Sequence, residues 1–197
     1  MYIQRISTII VIAAASPALA DVIEYEDEER PDFFAAVGGE ANVSVVDFLG
    51  YDDLTLVRDQ WAHLGVHFSG VVVVSGKSFG GYPNDGWGVE GYPYINLAFD
   101  QPMQWIAADL PGVTMIELYS NDQLIYTSTR LGGGGPGNFG GLISDQPFDR
   151  VRFFDPFTDV DFLDDIFFGP PIAVPAPGAL APLSVMLLCR SRRRRAH

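Results

Sequence analysis

Between residues 21 and 169, runs of β-branched and aromatic residues recur, apolar at every second position, and clusters of Gly, Pro, Asn and Asp cut them apart. A period of two is the mark of a strand with one buried face. In "ANVSVVDFLG" (41–50), Val43 and Val45 alternate with polar neighbours, less cleanly at Asp47. "LGVHFSGVVVVSG" (64–76) carries Val66 and Phe68 before a run of four valines. In "YINLAFDQP" (94–102), Ile95, Leu97 and Phe99 alternate with Tyr94, Asn96 and Ala98. "VTMIELYSNDQLIYTSTR" (113–130) is two apolar runs around Ser120, Asn121 and Asp122, which predicts a hairpin. "FDRVRFFD" (148–155) and "DFLDDIFFG" (161–169) close the series. No stretch predicts a helix of twelve residues or more. The spacing therefore predicts an all-β fold, a two-sheet antiparallel sandwich of the jelly-roll kind. "LGGGGPGNFGG" (131–141) reads as a loop within it, "FGGYPNDGWGVEGYPY" (79–94) as a second long loop, and "EYEDEERPD" as a solvated lead-in.

Composition agrees with the pattern. Of 197 residues, 48% are hydrophobic, and Gly (21) and Pro (14) are frequent while Lys occurs once, at Lys77. That suits one core built from strands and turns. The lone cysteine, Cys189, excludes an intrachain disulfide framework. All 25 acidic residues lie between Asp21 and Asp165, against six basic residues in residues 21–169, so this body carries a formal charge of −19. Five arginines in the last eight residues carry the opposite sign. A body so acidic repels phosphate backbones, which argues against nucleic-acid binding.

The two ends read as addresses. "MYIQRISTIIVIAAASPALA" has Arg5 as its positive region, an apolar run from Ile9 to Ala15, and small residues Ala18 and Ala20 where a signal peptidase reads. Residues 1–20 are thus expected to form a signal helix cleaved before Asp21. Residues 170–197 place prolines, then eleven mostly apolar residues from Ala179 to Cys189 broken by Pro182, then arginines. A permanent span needs about 20 apolar residues. The short hydrophobic helix predicted here suits a transient halt at the inner membrane, with the arginines retained inside.

Val174, Pro175, Ala176 and Pro177, the apolar stretch, and Arg192, Arg193, Arg194 and Arg195 resemble the PEP-CTERM sorting signal of Gram-negative-type bacteria. Ala176 stands where that family has Glu. The resemblance covers about the last 24 residues and implies an exosortase-like processing enzyme as a partner, besides signal peptidase. It also implies a mature protein at the cell surface or in the extracellular polysaccharide matrix. A plain tail anchor and a cloning remnant stand as alternatives. The body, with Trp61, Leu64, Gly65, Val66 and Phe68 early and Asp164, Asp165, Ile166, Phe168 and Gly169 late, resembles secreted domains similar to carbohydrate-binding or concanavalin-like sandwiches.

Candidate chemistry is sparse, and the expectation is a protein that is not an enzyme. Gly76, Lys77 and Ser78 imitate the end of a phosphate loop, but Val71 stands where its first glycine belongs and no helix follows. The same segment spells a Gly-x-Ser-x-Gly elbow, yet the only downstream histidine is His197, in the tail. His63 and His67 have metal spacing only on a helix, and the local pattern is turn into strand. Glu90 and Glu117 could pair for glycoside hydrolysis, which needs carboxylates about 5 to 9.5 Å apart. Tyr82, Trp87, Tyr92 and Tyr94 offer flat faces for stacking on sugar rings, or else rings capping the core. Asp159, Asp161, Asp164 and Asp165 crowd the last strand. Asp164 and Asp165 are candidate ligands for one structural calcium, the alternative being a charged edge strand.

Overall fold

The computed structural model describes residues 19–76, 87–133 and 138–170. Within them the chain runs β1 (Val22–Glu26), α1 (Arg30–Ala36), β2 (Ser44–Val46), β3 (Val66–Ser75), β4 (Gly88–Asp109), β5 (Met115–Ser120), β6 (Gln123–Thr127), β7 (Phe139–Phe154), β8 (Asp161–Leu163) and β9 (Ile166–Gly169). The fold is all-β: one large sheet, antiparallel at every pairing, with little helix. Its order is β2-β9-β4-β7-β5-β6, with β1 added to β7 and with β3 and β8 added to β4. Hydrogen bonding thus joins these strands into a single sheet.

Two long strands organise it. The first half of β4 pairs with β3, β8 and the second half of β7, while its second half pairs with β9 and the first half of β7. Register shifts between Ala98 and Trp105 mark the change of neighbours, the local irregularity by which long strands turn. The main core draws on both halves: Ile95 and Leu97 from before the shift, Ile106 and Ala108 from after it, all fully buried. Phe99 touches Phe148 and Phe168 across that core, at ring-centroid separations of 6.2 and 5.3 Å.

A second cluster lies on the opposite face of the later half. Trp105 and Ala107 of β4, Phe139 of β7 and Phe167 of β9 meet Phe33, Phe34 and Val37 of the α1 segment. Pro31 at the start of α1 suits a first helical turn. Phe33 packs edge-on against Tyr25, Phe34, Trp105 and Phe139, at 5.4 to 5.9 Å. Arg30 projects among the rings of Phe34, Phe139 and Phe167 and pairs with the fully buried Asp109. Losing either partner would strand a charge in that apolar site. Two glycines make this packing possible. A Cβ on Gly141 would sit 2.8 Å from the Phe33 ring, and one on Gly169 would strike Trp105.

Several expectations change here. The acidic lead-in is not simply solvated. β1 pairs with residues 140–144 of β7, and Glu24 accepts hydrogen bonds from Tyr126 (2.7 Å) and the Thr129 backbone (2.8 Å). The glycine-rich loop ends before Phe139, where β7 begins, and Gly140 and Gly141 are strand residues. The second long loop also ends early, since β4 begins at Gly88. The final strand is two strands, separated by Asp164 and Asp165. The hairpin around Asn121 and Asp122 stands as expected, both residues having positive φ (50° and 63°). Asn and Asp tolerate that backbone well.

Residues 1–18 of the expected signal segment, the sorting motif and the short hydrophobic helix lie outside the described residues, whereas Leu19 and Ala20 are described and are not helical. Among the described residues no helix is long and apolar enough to cross a membrane.

Candidate functional site

Alternation along the first half of β4 turns Ile95 and Leu97 inward and Glu90, Tyr92, Tyr94 and Asn96 outward. Register then sets Arg152 of β7 beside Asn96, and Glu117 of β5 beside Arg152. The outer face of this half-sheet therefore carries two tyrosine–glutamate pairs on one surface.

The first pair is Tyr92 with Glu90. Tyr92 is exposed, its hydroxyl donating to Glu90 Oε2 at 2.7 Å, and Ser75 Oγ donates to Glu90 Oε1 at 2.7 Å. The hydrogen bond to Glu90 is the chief reason the Tyr92 phenol titrates above its ordinary range. The ring is thereby tethered at its tip and remains 42% exposed.

The second pair is Tyr119 with Glu117, also joined through the phenol. Arg152 bonds Glu117 at 3.2 Å and Asn96 at 3.3 Å, and lies over the Tyr94 ring at 4.5 Å. Arg150 covers Tyr119 at 4.2 Å. Beside this network opens a cavity of about 210 Å³. Pro93, Tyr94 and Phe154 give it apolar walls; Glu117, Asp155, Thr158 and Asp159 give it polar ones, and Arg152 lines it too.

The four aromatic candidates separate. Tyr92 and Tyr94 share the outer face, with one face of Tyr94 taken by Arg152. Trp87 packs against the main core and across Gly76, where a Cβ would stand 2.6 Å from its ring. Tyr82, like Lys77 and Ser78, lies outside the described residues. Glu90 and Glu117 are not neighbours. Glu90 pairs with Val73 of β3 and Asn96, in register with Arg152 and Glu117, pairs with Ser69, so four strand steps and two strand spacings separate the two carboxylates, on the order of 15 Å, beyond the window for a glycosidase pair.

The acidic candidates separate as well. Asp164 is buried, its Oδ1 accepting the Asp165 N–H at 2.9 Å, and its own N–H bonds the Asp109 carbonyl at 3.0 Å. Asp165 is half-buried, and its carbonyl accepts from the Asp109 N–H at 3.1 Å. The two thus shape the turn that ties β8 and β9 to the end of β4. Asp159 and Asp161, read as crowding the last strand, part company: Asp159 is exposed before β8 begins, and Asp161 is buried. Among the described residues, no group of three or more His, Cys, Asp or Glu side chains is gathered as a metal site.

Sequence reasoning missed Asp161 as a special carboxyl. Thr114 Oγ1 donates to its Oδ1 at 3.0 Å, while Oδ2 is buried with no hydrogen-bond partner. Burial, with a smaller push from Asp155, raises its pKa to about 7. His67, a metal candidate by spacing alone, instead bridges Asp59 (2.7 Å) and Asp100 (3.2 Å), and the hydrogen bond to Asp59 leads in raising its pKa. His63 lies exposed in the 3-10 turn before β3. Ala20, at the expected cleavage point, is buried, and its N–H bonds the Ile125 carbonyl at 3.2 Å. The next residue's N–H reaches Asp145 Oδ1 at 2.9 Å. No family model, curated protein or solved structure matches this chain.

Proposed function

We propose that this chain is an exported, non-catalytic protein of the cell surface or extracellular matrix, delivered by its signal segment and processed through a PEP-CTERM-like tail. The observation that carries the reading is where the strands stop. Among the described residues the last strand, β9, ends at Gly169, five residues before Val174, so removal of the tail takes none of the described strands from the sheet. In the finer reading of the fold, the two halves of the continuous sheet are the two layers of a sandwich folded over the main core. Intact-mass measurement of the protein from exporting cells tests the targeting. The expected mature form begins at Asp21 and lacks the arginines; a form still ending at His197 overturns the processing.

A second reading is favoured by one further observation, the exposed Tyr92 ring held at its tip by Glu90. On this reading the outer face of the first half of β4 binds a saccharide, stacking a sugar on Tyr92 and placing a neighbour in the adjoining cavity. Aromatic faces and a few fixed polar groups are what such sites need. Titration of glycans against the full chain and its Tyr92→Ala variant tests it. Binding lost in the variant supports the reading, and equal binding moves the site elsewhere.

A further inference from the structure

The cavity beside Tyr94 has a charge that its single arginine does not balance. Arg152 is already engaged: Glu117 stands 3.2 Å from it and Tyr94 holds its guanidinium face at 4.5 Å. Its charge is matched within the wall, so it offers little to an anionic ligand. Asp155 and Asp159 are left over. Asp155 is fixed on the wall by the Phe157 N–H (2.7 Å) and the Thr158 hydroxyl (3.1 Å), and Asp159 is exposed on the rim. Pro93, the Tyr94 ring and Phe154 supply the cavity's apolar lining. The whole body, at −19, adds to the same field.

A ligand matching this lining carries one positive charge and an apolar ring face. We propose that this cavity takes a protonated amino-sugar residue, its ammonium towards Asp155 and Asp159 and its C–H face against Tyr94 and Phe154. The proposal rests on the saccharide reading and names its substrate class: a glycan with unacetylated amino groups rather than one bearing uronic acids. Acidic glycans would be repelled by the rim and by the body.

Calorimetric titration of the full chain with glucosamine oligomers, their fully N-acetylated counterparts and oligogalacturonate tests the proposal. Binding of the first alone is expected, weakened about fivefold in Asp159→Asn, the worth of one rim charge, and unchanged in Glu28→Gln, an acid between β1 and α1, which pack at the other end of β7. Equal binding of acetylated and unacetylated oligomers overturns the ammonium while leaving the saccharide reading intact. Equal weakening by both variants also overturns it, since that marks a polycation held by general charge. Binding of no oligomer overturns both readings. Spermidine binding that is lost in Asp159→Asn, with no oligomer bound, assigns the cavity to free amines and overturns the sugar.

Discussion

The two halves of β4 are built from one continuous strand and do different work. In the later half, Trp105 to Asp109 are all buried, because the main core takes one face and α1 covers the other. In the earlier half only one face is buried, and the other presents Glu90, Tyr92, Tyr94 and Asn96. The later half has no surface left with which to bind anything. The earlier half has spare side chains whose removal leaves the core intact. Stability and recognition are thus divided along a single strand, at the register shift between Ala98 and Trp105.

Phe33→Ala probes the division hardest. Phe33 is fully buried and touches four aromatic rings, so truncation should cost about 3 to 5 kcal/mol. Chemical denaturation checks it. A loss under about 1 kcal/mol would mean that α1 is dispensable and that the later half does not depend on its cover.

An intermediate effect is expected at Asp161, where β8 joins the earlier half opposite Gly91. Its folded pKa, about 7, lies above the roughly 3.9 of an unfolded aspartate. Between those values the folded chain keeps a proton that the unfolded chain releases. This group therefore favours folding at acid pH, and that advantage is lost as pH rises towards 7. The slope is about 1 kcal/mol per pH unit, a few kcal/mol in all at most. Asp161→Asn, which keeps the shape of the protonated carboxyl, should be more stable than the parent at pH 8 and nearly equal at pH 4. Melting curves at the two pH values decide; an unchanged difference would place the carboxyl in contact with solvent.

The same division explains what could be read from the sequence. Where one face is buried, alternation is visible: the valines of β3 and the Ile95-Leu97-Phe99 series were legible, as was the Asn121-Asp122 turn. Where both faces are buried, alternation disappears, and "MQWIAAD" gave no strand signal although Trp105 to Asp109 are all buried in the sheet. Gly140 and Gly141 read as loop because glycine weakens strands in general. Here its absent side chain makes room for Phe33 and Leu110. The acidic lead-in looked solvated because its partners, Tyr126, Thr129 and Phe139, are about a hundred residues away. For the candidate site, the tyrosines were legible as residue types. Register alone revealed that Arg152 covers Tyr94, that Tyr92 stays open, and that Glu90 and Glu117 lie far apart.

Tyr92→Ala should have the smallest effect on stability and sharpens the comparison most. The ring is 42% exposed and belongs to neither buried cluster, so its removal forfeits one hydrogen bond to Glu90 and a modest apolar contact. A hydrogen bond at an exposed site is replaced by water at little net cost, and surface substitutions of this kind lie within about 0.5 kcal/mol of zero. A denaturation midpoint close to the parent's, beside the large shift of Phe33→Ala, is the expected result. A loss above about 1 kcal/mol would make Tyr92 a structural residue. The outer face of the earlier half would then serve the fold just as the later half does, with no surface left to bind a ligand.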